Sequence, residues 1–178
     1  GGKERQLTFA ERNHGADVQF SPDGKALIFS ANLAADFEYQ PRDKDLYRLN
    51  LADLSLQQLT ALAGQEEKAV FSPDGQRLAF IWGHNQKVPF ANGKVKVLTL
   101  KTGNIEDIAP DADLDIAALD WFDNRQLLVQ YDERGLRKLA RLSLNGQLNV
   151  VTDRLSGTGL PQPYLSGEFH QQNGVIAY

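Results

Sequence analysis

Phe20-Ser21-Pro22-Asp23-Gly24-Lys25-Ala26-Leu27-Ile28-Phe29 returns downstream as Phe71-Ser72-Pro73-Asp74-Gly75-Gln76-Arg77-Leu78-Ala79-Phe80. A degraded third copy reads Trp121-Phe122-Asp123-Asn124-Arg125-Gln126-Leu127-Leu128-Val129, and a fourth reads Phe169-His170-Gln171-Gln172-Asn173-Gly174-Val175-Ile176-Ala177-Tyr178. A second marker keeps step with the first: Gln6-Leu7-Thr8, Gln58-Leu59-Thr60 and Val150-Val151-Thr152. Two independent markers at one spacing of roughly 50 residues define an internal repeat.

Each repeat reads as short strands. In the first, Asp17–Phe20 predicts strand A, with Val18 and Phe20 on one face. Ser21-Pro22-Asp23-Gly24 predicts a turn: proline presets φ, aspartate bonds the backbone ahead, and glycine takes the positive-φ position. Residues 26–30 are apolar on both faces, as a strand sandwiched between sheets must be. Residues 46–51 alternate, with Tyr47, Leu49 and Leu51 opposite Arg48 and Asn50, and residues 56–60 supply an outer strand. Four strands per repeat of this length is the pattern of a β-propeller blade. The expected fold is all-β, a partial β-propeller of four-stranded antiparallel blades, about three and a half of them in this chain. The phase assigns residues 3–8 to the outer strand of a preceding blade, 17–60, 67–110 and 115–152 to full blades, and 165–178 to the first two strands of another. Blades bury their faces against neighbours, so such a chain is expected either to be joined by further blades or to form an open arc with exposed sheet faces. A closed ring from this chain alone would contradict that expectation. The start at Gly1-Gly2-Lys3, in a sequence without methionine, fits a piece of a longer protein.

Composition narrows the partners. The 178 residues are 42% hydrophobic and 24% charged, with a formal net charge of −4. Lysines and arginines are scattered among acids, so no basic stripe predicts nucleic-acid binding. No run of about 18 apolar residues predicts a membrane-spanning helix. The chain contains no cysteine, which excludes disulfides, thiolate metal sites and cysteine nucleophiles.

The Phe-Ser-Pro-Asp-Gly copies resemble the repeat shared by the Tol-system propeller protein TolB and the prolyl-oligopeptidase family. Phe37-Glu38-Tyr39-Gln40-Pro41 with Asp45-Leu46-Tyr47, and Tyr131-Asp132-Glu133-Arg134-Gly135 before Lys138-Leu139, are similar to stretches of bacterial acylaminoacyl-peptidase and dipeptidyl-peptidase-like members. Gly159-Leu160-Pro161-Gln162-Pro163-Tyr164-Leu165-Ser166-Gly167-Glu168-Phe169 resembles a run late in that family's propeller. The resemblance spans the chain. It implies a propeller that limits access of short peptides to a covalently linked α/β-hydrolase domain, absent from this chain, which releases dipeptides or acyl-amino acids. It implies a serine mechanism with no cofactor, a homo-oligomer as one option, and a preference for the periplasm. The alternative it leaves open is a TolB-like non-enzymatic periplasmic propeller that binds protein partners. A propeller carbohydrate lyase would require a metal-binding histidine cluster.

The chemistry within these residues is sparse. A nucleophile elbow needs Gly-x-Ser-x-Gly on a strand-to-helix turn; around Ser156-Gly157-Thr158-Gly159, Arg154 stands where the first glycine belongs. No catalytic residue is therefore assigned. The longest departures from a minimal blade are residues 31–44 and 82–94, between strands B and C. In an up-and-down blade the B–C and D–A loops leave at one end, so these insertions predict a rim. Family members hold a substrate's amine or acyl end with propeller residues, which makes Glu38 a candidate partner for an ammonium, with Tyr39 and Trp82 as apolar walls; the alternative is a solvated Glu38 beside loop-packing aromatics. Asp111-Ala112-Asp113-Leu114-Asp115 opens like a calcium loop, but Ile116 and Phe122 occupy the positions that require glycine and glutamate. His14, His84 and His170 lack metal-ligand spacing. No metal site is expected.

Overall fold

A computed structural model describes residues 4–8, 17–84, 92–155, 167–172 and 174–178. Among them there is no helix. The first sheet joins β1 (Gln19–Phe20), β2 (Ala26–Ala31), β3 (Asp45–Asn50) and β4 (Leu56–Gln58). The second joins β5 (Gly64–Phe71), β6 (Arg77–His84), β7 (Gly93–Thr99) and β8 (Asn104–Ile108). The third joins β9 (Asp115–Trp121), β10 (Gln126–Glu133), β11 (Leu136–Ser143) and β12 (Leu148–Thr152). β13 (His170–Gln172) and β14 (Val175–Ala177) form a two-stranded sheet. Strands within each sheet follow chain order and pair antiparallel. The registers Leu27↔Leu49, Leu78↔Leu98 and Leu127↔Leu142 occupy equivalent places in the three blades.

The repeated turn is built by its side chains. Ser21 Oγ donates to Asp23 Oδ1 at 2.6 Å, and Asp23 Oδ1 also accepts from Lys25 N at 3.0 Å. Ser72, Asp74 and Gln76 repeat this at 2.6 and 3.0 Å. Gly24 and Gly75 stand at φ 66° and 68°, where a side chain would be strained. In the third copy the serine is lost, yet Asp123 Oδ1 still accepts from Arg125 N and Gln126 N. Serine bonds come first among the causes that hold Asp23 and Asp74 below the usual aspartate range. The recurring aspartates are turn residues.

Blades stack on their sequence neighbours. Ile28 and Leu46 of the first blade meet Ala69, Leu78, Phe80 and Leu98 of the second. Ala79, Ile81, Val95 and Val97 then meet Ile116, Leu119, Trp121, Leu127 and Val129 of the third. Beyond it, Leu128, Leu139 and Leu155 receive Phe169 and Ile176, and Gln171 Nε2 donates to Trp121 O at 2.6 Å. The other face of the first blade, with Leu27, Phe29, Tyr47 and Leu49, is packed by Leu7 and Leu33. Residues 4–8, the described part of the outer strand expected at 3–8, join no ladder among the described residues, and Leu7 packs on the first blade. Strand A of the first blade is also shorter than expected. Asp17 sits at φ 64°, which breaks the extended run before Val18; Phe20 is 67% exposed.

Blade contact is close enough to require a glycine. A Cβ on Gly93 would lie 2.7 Å from the backbone oxygen of Ile116 and 2.8 Å from Ile81 Cγ2, while Gly93 N donates to Asp115 Oδ1 at 2.8 Å. A backbone oxygen cannot yield as a side chain can, so Gly93→Ala is expected to cost about 1–3 kcal/mol. Urea denaturation checks this; a change below about 0.5 kcal/mol would contradict it.

Candidate functional site

The rim is assembled where strand B of one blade ends beside strand A of the next. Loop 32–44 leaves β2 at Asn32, a buried residue whose Nδ2 donates to Gln40 O at 2.7 Å. Turns within the loop close by Tyr39 N to Asp36 O at 2.8 Å and Asp43 N to Gln40 O at 3.0 Å. Its root is tied to the second blade. Lys44 N donates to Gly64 O, Glu66 N donates to Lys44 O, and Gly64 N donates to Asp43 Oδ1 at 2.8 Å. The B–C loop and the D–A connection therefore do leave at one end.

Glu38 and Tyr39 lie at the exposed side of this loop, Tyr39 with 87% of its surface open. Among the described residues Glu38 makes no hydrogen bond or ion pair. Trp82 is held differently. Its Nε1 donates to Ala63 O at 3.2 Å, and the Lys96 ammonium lies 4.3 Å from the centre of its ring. Lys96 is itself paired with Asp107. Trp82 thus packs the root of the rim, while Glu38 and Tyr39 face solvent. The rest of the second insertion, residues 85–91, lies outside the described residues, as do His14, Ser156-Gly157-Thr158-Gly159 and residues 160–166.

Beneath the rim sits a carboxylate that pattern reading missed. Glu66 is fully buried. Thr60 Oγ1 donates to its Oε2, Leu62 N donates to its Oε1 at 2.9 Å, and Thr60 Oγ1 in turn accepts from Leu46 N at 2.8 Å. Burial pushes Glu66 up to about 7, against the pull of the Thr60 and Leu62 bonds, with the Asp45 charge adding to the rise. Asp45 is raised to about 6 by burial and then by Asp43, while the Gln58 bond opposes. The threonine of the repeated Leu-Thr marker thereby links strand C of one blade to strand A of the next. A signal was present in Gln65-Glu66-Glu67-Lys68, because four polar residues in an inner strand must send at least one inward.

Elsewhere, Asp115 and Asp113 accept from Gly93 N and Asn92 Nδ2, which ties the Asp111–Asp115 segment to the second blade. Among the described residues no three His, Asp or Glu side chains form a metal-holding group.

No family model matches the chain, and no curated protein matches it. Solved structures do. A putative TolB from Agrobacterium tumefaciens superposes with a TM-score of 0.64 at 17% identity, over 81% of this chain and 48% of that one. A puromycin-hydrolyzing peptidase from Mycobacterium tuberculosis gives 0.62 at 20% identity, over 80% and 24%. An acylaminoacyl peptidase from Pyrococcus horikoshii gives 0.60 at 16% identity, over 78% and 21%. The chain spans under half the length of each. Together with its four-stranded antiparallel sheets, these likenesses show the fold: a partial β-propeller, of the kind found both in TolB and in peptidases.

Proposed function

We propose that this chain is the propeller part of a serine peptidase, gating short peptides toward a covalently linked hydrolase domain that releases dipeptides or acyl-amino acids. The observation that carries the reading is the rim: a B–C loop pinned at its root by Asp43 and Lys44, presenting beside Tyr39 a Glu38 carboxylate that is unpaired among the described residues. Glu38 would take the substrate's ammonium through a charge-assisted bond, with Tyr39 and, at the root, Trp82 as apolar surface. The peptidase likenesses support the covalently linked hydrolase domain.

In the complete polypeptide, Glu38→Gln is expected to raise KM about tenfold for chromogenic dipeptide substrates with a free amine, an effect in the range of one charge-assisted bond. The kcat, and turnover of acylated substrates, should be unchanged. Equal effects on both panels would remove Glu38 from the site. Hydrolysis of neither panel would remove the peptidase reading. It would leave the second one, a non-enzymatic periplasmic propeller that binds protein partners, which rests on the TolB likeness.

A further inference from the structure

The two interblade seams differ at the end that carries the A–B turns. Between the second and third blades the seam is closed. Trp121 is buried with its Nε1 donating to Val70 O at 3.0 Å, Asp74 N donates to Asn124 Oδ1 at 3.1 Å, and Arg77 donates to Asn124 O at 3.3 Å. Between the first and second blades the smaller Phe71 takes the place of Trp121, and Arg48 takes the strand-C place that Val97 holds at the closed seam. The turns there touch through Pro22 against Gly75, where an added Cβ would lie 3.4 Å from Pro22 Cγ. A cleft of about 410 Å³ remains, floored by Ile28, Phe71 and Leu100 and edged by Arg48 and Lys101.

The charges of this cleft are unequally committed. Asp23 and Asp74 also line it, but each has one carboxylate oxygen bonded to its own turn. Among the described residues Arg48 and Lys101 form no ion pair and no side-chain hydrogen bond, although the Arg48 charge helps to hold Asp23 ionised from across the cleft. Arg48 is half-buried on a strand and lines the cleft together with its apolar residues. The planar donor fork of an arginine matches a carboxylate bidentately, and an apolar pocket with few convergent polar groups is the ordinary form of a small-ligand site.

We propose that the cleft between the first and second blades binds an apolar carboxylate, its anionic end on Arg48 and Lys101 and its apolar group on Ile28, Phe71 and Leu100. A peptide C-terminus and a free apolar amino acid share this chemistry. The site lies at the A–B turn end, opposite the rim, so it stands or falls independently of the peptidase reading.

The test is an NMR titration of the isotope-labelled chain with N-acetyl-L-leucine and with N-acetyl-L-leucinamide. The acid should shift the amide resonances of Arg48, Leu100 and Lys101 saturably, and the neutral amide should bind at least about tenfold more weakly. Arg48→Gln should abolish that preference. Comparing an acetylated tripeptide ending in leucine with free leucine then identifies the source: tighter peptide binding points to a chain terminus, tighter leucine to an ammonium read by Asp23 and Asp74. Equal binding of acid and amide, shifts confined to other residues, or an Arg48→Gln chain that keeps its preference would each overturn the proposal. The acid–amide comparison needs no variant, so it remains decisive if Arg48→Gln fails to fold.

Discussion

Trp121→Ala is expected to lower the free energy of unfolding by about 3–5 kcal/mol, the usual cost of deleting a large buried aromatic side chain. Trp121 is 1% exposed at the centre of the largest core cluster, between the second and third blades. Truncation would open a cavity within the cluster that includes Ala79, Val97 and Leu142, and would remove the indole donor from Val70 O. Trp121→Phe separates the two effects. It retains most of the packing and loses the indole N–H, for which about 1–2 kcal/mol is expected. Because a blade contacts only its neighbours, the alanine variant should also broaden the denaturant transition, as the blades on either side uncouple. Urea denaturation followed by far-ultraviolet circular dichroism measures both. A loss below about 1 kcal/mol for the alanine variant would mean that this interface does not hold the blades together.

The second large effect is a stability that declines from mildly acidic to mildly basic pH. Glu66 titrates near 4.5 when unfolded and near 7 when folded. Between those values the folded chain keeps a proton that the unfolded chain has released, so raising the pH favours unfolding. The cost is complete above pH 7 and is on the order of 3 kcal/mol. Asp45, raised from 3.8 to about 6, acts in the same sense between those values. Asp23, Asp74, Glu67 and Glu133 are shifted downward by hydrogen bonds and nearby cations. Their contribution is present above their unfolded values and is lost as the pH falls through their lowered ones. Stability should therefore peak near pH 4–5 and fall toward pH 8. Glu66→Gln preserves the shape of the group: its amide oxygen can accept from Leu62 N and its amide N–H can donate to Thr60 Oγ1. That variant should be more stable than the parent at pH 8 and should flatten the slope between pH 5 and 8. An unchanged slope would show that another group sets it.

The parts of the fold that were legible in the sequence are those whose chemistry is local. Asp23 and Asp74 bond a hydroxyl two residues before and an amide two residues after, so a five-residue window contains the whole reason for the turn. Asp123 performs the same task without its serine, which explains why the third copy could degrade and still be recognised. The Leu-Thr marker was legible as a recurrence, but its cause was not. Thr60 works through Leu46 and Glu66, whose positions depend on how two blades meet.

Glu66 itself was hidden by a β-bulge. Strict alternation places Glu67, Ala69 and Phe71 on one face. The register shifts between Glu67 and Val70, and Lys68 takes φ 54°. The extra residue brings Glu66, with Ala69, to the side that faces the first blade. Alternation places Arg48 opposite Tyr47 and Leu49 without showing what it meets: a strand between stacked sheets faces a neighbouring blade on each side, and Arg48 lines the interblade cleft. At the rim, the loop lengths announced an insertion, but only the bonds of Asp43, Lys44 and Trp82 show which residues anchor it and which stay exposed.

Each blade packs on the next in sequence. An NOE map of the labelled chain tests it most directly, starting from the indole N–H of Trp121, which meets the carbonyl of Val70 at a sequence separation of 51. Strong contacts are expected from that proton to Val70 and Phe71, and none joining Leu27 or Tyr47 of the first blade to Leu127 or Leu142 of the third. Contacts between the first and third blades, with none from Trp121 to Val70, would contradict it.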